Sequence, residues 1–383
     1  MDGVVYSEQF RWTAKKGWEP RAPGTLGDSA QLILIFGAKD LLSNSDAYRR
    51  VLDAYPAALR FGCSTAGDIF GTEVSDGSLV ATAVHFEQTR IQTSHTRVEG
   101  PGDSFAAGQR LAQSLAKEEL AHVLLLSDGQ HVNGSELVKG IASSLPPDVT
   151  VTGGLSGDGT SFKETLVIAD GVPTSSAIAV LGLYGRGLRV GFGSLGGWDP
   201  FGPERLITRS HGNVLYELDG RSALELYKVY LGPYAKDLPA SALLFPLSIW
   251  REIDDTPIVR TILSVDEEEQ SMTFAGDVPM GTCARFMKAN FDRLIDGAIG
   301  AARTSYEAIG SAACDLALLV SCVGRKLALG PRIEEEVEGV REVLGEEPVL
   351  AGFYSYGEIS PFTPDAKCEL HNQTMTITTL TER

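Results

Sequence analysis

One pattern occurs three times in this chain and constrains what it can fold into. An apolar strand runs into a short loop of glycines and small hydroxyl residues, and the loop closes on an acid. Residues 349–359 carry Gly352 and Gly357, with Glu358 directly after. Residues 59–69 carry Gly62, Gly67 and Asp68 in the same places. Residues 149–159 carry Gly157 and Asp158, with Thr152 where the first glycine of the other copies stands. Three copies of strand, loop and acid point to one site assembled from repeated units.

Each copy is preceded by a strand and a helix. Residues 31–36 form a short continuous apolar run, and Ser45 then starts a helix with Tyr48, Val51, Leu52 and Tyr55 on one face until Pro56 stops it. Residues 122–126 repeat the strand, and Ser135 starts a helix facing Leu137, Ile141 and Leu145 inward. Residues 316–322 begin the third unit, with 323–326 in the loop after the strand and a helix from about Pro331 carrying Ile333, Val337, Val340 and Leu344 on one stripe. Further strands follow each loop, at 79–86, at 165–168 and 176–183, and at 369–372 and 374–380. Strand, helix and strand in sequence imply parallel pairing through a right-handed crossover, and the hairpin that follows adds antiparallel neighbours. The expected fold is therefore mixed α/β: two packed lobes built from repeated β-α-β-β units with mixed sheets. Residues 1–29 read as a polar lead-in, 30–186 as the first domain and 187–383 as the second. The second domain opens with an insert in which an acidic run at 266–269 marks a hairpin tip, and a long helix is expected from about Cys283 to Ile309.

Composition narrows the function. A net charge of -17 argues against nucleic acid or an anionic membrane as partner, because both require a basic face. The first eighteen residues hold no apolar core of a signal peptide, and no apolar run is long enough to span a bilayer. Cys63, Cys283, Cys314, Cys322 and Cys368 are scattered and odd in number, as expected for free thiols in a cytoplasmic protein.

Loops at the carboxyl ends of parallel strands are where α/β proteins hold ligands. The candidates are Cys63, Ser64, Thr65 and Asp68 in the first unit and Ser127, Asp128, Ser156 and Asp158 in the second. The third unit contributes Cys322, Arg325, Tyr354, Tyr356 and Glu358. Glycine lets backbone N–H groups approach a small anion, Arg325 offers a fork for a carboxylate, and the acids suit an ammonium. That set fits an amino acid or a similar small polar metabolite. The competing account is structural, with glycines serving tight strand exits and acids capping neighbouring backbone. Cys63 as an enzymatic nucleophile is weighed against a packed thiol, and the packed thiol is preferred. No histidine or cysteine cluster has zinc spacing, and the glycine-rich run at 153–159 lacks the lysine of a phosphate loop.

The stretches 62–67, 212–220, 322–325, 352–358 and 370–374, in that order, resemble the FIST sensory domain with its N-terminal and C-terminal halves, from about residue 30 to the end. The resemblance implies a bacterial signal-input protein that binds small ligands, amino acids among them, without catalysis, and it draws Asn372 into the candidate set. Many relatives are fused to histidine kinase, diguanylate cyclase or methyl-accepting modules. None follows here, so the expected output is a separate partner of that kind. Stand-alone relatives include haem-binding nitric oxide sensors. If haem is bound, His371 is the first candidate ligand and His131 the second.

Overall fold

A computed structural model of the protein describes residues 3–252, 257–311, 313–363 and 366–383. The three apolar runs become the strands Leu32–Gly37, Leu120–Ser127 and Leu316–Cys322. Each is almost wholly buried, as continuous apolar strands covered on both faces must be. Each pairs in parallel with the strand that leads into its glycine loop: Leu59–Ser64, Thr150–Leu155 and Val349–Ser355 respectively. The intervening helices are Asp46–Ala54, Gly134–Ala142 and Ile333–Leu344. Ser45 caps the first, accepting the amide N–H of Tyr48 at 3.0 Å.

The same contact fixes all three parallel pairs. A Cβ placed on Gly62 would lie 1.8 Å from the Ile35 carbonyl oxygen, one on Gly153 1.8 Å from that of Leu125, and one on Gly352 2.0 Å from that of Leu319. These glycines face Ile35, Leu125 and Leu319 in register across the strand pairs, so only hydrogen fits between the two backbones. The equivalent of Gly62 and Gly352 in the second unit is therefore Gly153, not Thr152. Counted from that glycine, Asp68 and Glu358 match Gly159, and Asp158 stands one place early.

The units are interlocked. The strand after the first loop, Asp68–Phe70, leaves its own sheet and pairs with Val349–Ser355 of the third unit. The strand after the third loop, Gly357–Pro361, pairs with Thr150–Leu155 of the second. The strand after the second loop, Val167–Ala169, pairs with Leu59–Ser64 of the first. Each unit gives one strand to a neighbour and receives one, in a closed ring. The result is one seven-stranded and two six-stranded mixed sheets.

The insert forms an antiparallel eight-stranded sheet whose central strands are Asp199–His211 and Cys283–Lys288. It has its own core, containing Ile207, Leu215, Leu224, Tyr227, Phe274 and Phe286. Two lobes result: the first two units, and the insert with the third unit.

Several expectations need correction. The lead-in at 1–29 contributes the strands Val5–Thr13 and Gly17–Glu19 to the first sheet, with Val5–Thr13 paired along its length to Ser78–Phe86. The long helix expected from Cys283 begins at Phe291, because Cys283–Lys288 is a strand with alternating burial, and Asn290 caps the helix Phe291–Ala308. Residues 323–326 lie in the short helix Val323–Leu329, not in a loop. Asn133 rather than Ser135 caps the second unit's helix, accepting from the Glu136 amide at 3.1 Å. The acidic run does mark a hairpin tip, between Ile262–Asp266 and Ser271–Phe274.

Candidate functional site

Strand exchange brings the three glycine loops against one another. The Ala66 amide donates to the Tyr354 carbonyl at 2.8 Å, Gly157 to the Ser64 carbonyl at 2.9 Å, and Tyr356 to the Leu155 carbonyl at 3.1 Å. Thr65, Ser156 and Ser355 occupy equivalent positions. Thr65 Oγ1 donates to Asp68 at 2.6 Å and Ser355 Oγ to Glu358 at 2.5 Å, whereas Ser156 Oγ donates to the Ser127 carbonyl at 2.9 Å. Ser64 Oγ accepts the Leu166 amide at 2.8 Å, and Ser127 Oγ donates to the Asp128 carbonyl at 3.1 Å. The loops therefore meet through direct backbone hydrogen bonds.

The acids are held by protein donors. Asp68 also accepts from Ser78 Oγ at 2.5 Å, and burial raises its carboxyl to about 6 against the pull of its hydroxyl partners. Glu358 accepts from the Thr374 amide at 3.1 Å and the Thr374 hydroxyl at 3.0 Å, yet burial dominates and lifts it to about 8. Asp128 accepts the amides of Gln130, His131 and Ser176. Asp158 binds the amides of Phe162, Lys163 and Glu164, and accepts the Tyr356 hydroxyl, whose ring stacks on Phe162 at 4.5 Å.

Arg325 is fully buried, on the inner face of its helix. Its guanidinium binds Glu336 at 2.8 Å and donates to the carbonyls of Gly196 and Leu294. Glu336, equally buried, also receives the hydroxyls of Ser321 at 3.0 Å and Tyr354 at 2.8 Å. This network ties the two helices to the strands Leu316–Cys322 and Val349–Ser355, and it occupies the Arg325 guanidinium with Glu336 and two carbonyls rather than with the acids it was grouped with in sequence. Cys63 and Cys322 are packed in the core, where burial pushes both thiols up and leaves them poor nucleophiles.

A different cluster stands out at the turn 371–374, where the insert's sheet meets the third unit. Thr261 Oγ1, His371 Nδ1, Asn372 Nδ2 and Gln373 Oε1 are buried and lack hydrogen-bond partners. All four residues are nine-tenths buried or more. Such atoms cost about 1–3 kcal/mol each unless something satisfies them. They are neighbours through the backbone: the Thr261 amide reaches Asn372 Oδ1 at 3.4 Å, and Gln373 Nε2 reaches the Leu243 carbonyl at 3.3 Å. Arg260 is buried beside them, its Nη1 donating to the Leu370 carbonyl at 2.9 Å and its Nε to that of Asp277 at 3.1 Å. The second unit closes the rim, with Asn133 Nδ2 3.4 Å from the Asp277 carboxylate. Of these residues only Asn372 and His371 were singled out in the sequence. Arg260 carried a readable signal, being a lone charge in the otherwise mostly apolar run from Ile258 to Leu263.

The histidines can be tested as haem ligands. His371 is enclosed, its Nε2 against the Ser360 carbonyl at 2.7 Å and its ring 4.2 Å from Phe362, and burial lowers it to about 4. His131 lies on the loop beside Asp128 at 3.2 Å, its side chain 48% exposed. The two cavities described, of about 170 Å³ and 280 Å³, are lined by neither. These surroundings do not fit a porphyrin. No group of three or more histidine, cysteine or acidic side chains is disposed to hold a metal among the described residues. Nor, among them, is any helix long and apolar enough to cross a membrane.

Comparison with known proteins bears on this arrangement. The family model of the FIST N domain matches residues 31–221, and that of the FIST C domain matches residues 223–361. No curated protein matches the chain. Among solved structures it is similar to the cyanuric acid hydrolase from A. caulinodans, at 7% identity and a TM-score of 0.37, over 100% of this chain and 99% of that one.

Proposed function

The chain belongs to the FIST family, whose domains are associated with sensory signal transduction and small-ligand binding, and on that premise we propose a ligand site at the turn 371–374. The observation that carries it is the group of unpartnered buried atoms on Thr261, His371, Asn372 and Gln373. They offer a donor on Asn372, acceptors on Gln373 and on His371, whose single N–H is held by the Ser360 carbonyl, and a Thr261 hydroxyl able to act as either, which an amino acid or similar small polar metabolite matches. Arg260 supplies the cation for a carboxylate. Its charge persists although burial lowers it to about 10. Glu358, neutral near pH 7, supplies no fixed charge for an ammonium, so that end relies on neutral acceptors such as Gln373 Oε1.

Thr261 belongs to the insert and Asn372 to the third unit, so a ligand that bridges them changes how the insert sits against that unit. A separate partner, of the histidine kinase, diguanylate cyclase or chemotaxis type, reads that change. The five free thiols support a reducing cytoplasmic setting, and the packed Cys63 supports a binding rather than a catalytic role. A thermal-shift screen against amino acids and small carboxylates tests the reading. A binder raises the Tm of the wild type, and Asn372→Ala and Thr261→Val abolish the rise. Folded protein that responds to nothing at millimolar concentration overturns it.

A further inference from the structure

A cavity lies far along the chain from that turn, at the seam between the first and second units. It has a volume of about 170 Å³, somewhat more than the roughly 150 Å³ that admits a benzene-sized molecule. One wall is the start of the strand Leu59–Ser64, another the strand Arg90–Arg97, and a third the tip of the exchanged hairpin at Asp170 and Gly171. Its polar lining comes from Arg60, Thr93, Ser94, His95 and Asp170.

Arg60 carries the argument. Its Nε is buried and has no acceptor, and its Nη2 makes only a long contact of 3.4 Å to the Pro56 carbonyl. The hairpin leaves it room: Gly171 has φ +78°, and a Cβ there would stand 2.8 Å from Arg60 Cδ. Tyr48 anchors that glycine by donating its hydroxyl to the Gly171 carbonyl at 2.9 Å. On the opposite wall Thr93 and His95 share one face of their strand. His95 Nδ1 is 3.5 Å from Asp170 Oδ1, with both side chains partly in solvent. The cavity thus holds one permanent cation with an unused N–H, one histidine that adds charge when protonated, the hydroxyl residues Thr93 and Ser94, and a single acid at the mouth.

We propose that this seam cavity is a binding site for a small monocarboxylate, held by the Arg60 guanidinium and bounded by Thr93, His95 and the Asp170–Gly171 turn. The edge of a guanidinium that includes Nε presents two parallel donors, which match the two oxygens of a carboxylate. Asp170 at the mouth disfavours a dianion, so phosphate is a poorer fit than a monoanion. Apolar walls from Phe61, Ile168 and Ala179 accept a short hydrocarbon or ring. An occupant would touch both N-terminal sheets and the hairpin exchanged between them, separately from the turn 371–374.

The test is a titration of the intact chain with sodium butyrate, benzoate and phosphate against sodium chloride of equal ionic strength. It is read by isothermal calorimetry and by the ring resonances of His95 and His371. Butyrate or benzoate is expected to bind saturably at millimolar or lower concentration, to move His95 and leave His371 in place, and to bind more tightly than phosphate. Arg60→Gln should weaken binding at least tenfold, and Asp170→Asn, an exposed change that leaves the fold intact, should tighten it severalfold. No saturable binding by the folded wild type, or equal binding by Asp170→Asn and wild type, overturns the proposal. Shifts confined to His371 would place carboxylate at the other site and overturn it too.

Discussion

Glu358 shows how far a single residue can be read from sequence. Its position after a glycine loop marked it, and the loop does place it at the meeting of three units. What sequence could not supply is its surroundings: full burial, with Ser355 and Thr374 as its donors. A buried acid raised to about 8 is protonated in the folded chain and ionised in the unfolded one from its ordinary 4.5 upward. The unfolded state then binds fewer protons, so stability falls as pH rises through that window, by up to about 1.4 kcal/mol per pH unit. Asp68, raised to about 6, adds the same sign at the acid end. Urea denaturation between pH 6.5 and 8 should show the decline in the wild type and a flatter profile in Glu358→Gln. Equal slopes would mean that Glu358 is ionised in the fold. Arg325 taught the opposite lesson: its partner Glu336 is eleven positions away on another helix, and no local pattern announces that pairing.

At the level of elements, the parallel strand pairs rest on glycines that separate two backbones. Gly352→Ala would drive a methyl against the Leu319 carbonyl in a sheet enclosed on both faces. A loss of roughly 3 kcal/mol or more is expected in chemical denaturation, whereas the same change at exposed Gly212, where nothing crowds the site, costs only its left-handed backbone, about 1 kcal/mol. Comparable losses at both would remove the close-contact account. The strands and helices of the units were legible because their apolar periods were strong. The strand Cys283–Lys288 was not, since its alternation runs straight into an amphipathic helix and a short alternating run suits either. The N-terminal strand Val5–Thr13 was missed for a related reason, because it is mostly polar in sequence, with only Val5 and Phe10 entering the cores and Glu8 and Arg11 buried beside them.

For the molecule as a whole, sequence repetition revealed three units but not their exchange, since pairing between distant segments leaves no local trace. The exchange has a consequence for cutting the chain. A fragment ending at residue 222 keeps Thr150–Leu155 but not Gly357–Pro361, its antiparallel neighbour. The remainder keeps Met375–Glu382 but loses Leu188–Leu195, which pairs along its whole length. Each piece would present bare strand edges and should aggregate when expressed alone, while co-expression should yield a soluble heterodimer by size-exclusion chromatography. Two independently soluble, monomeric halves would contradict this. The ring of exchanged strands also behaves as a linkage without a free end. A turn of one unit would pass to the two others through paired backbone, so the proposed partner need not dock on the unit that holds the proposed ligand.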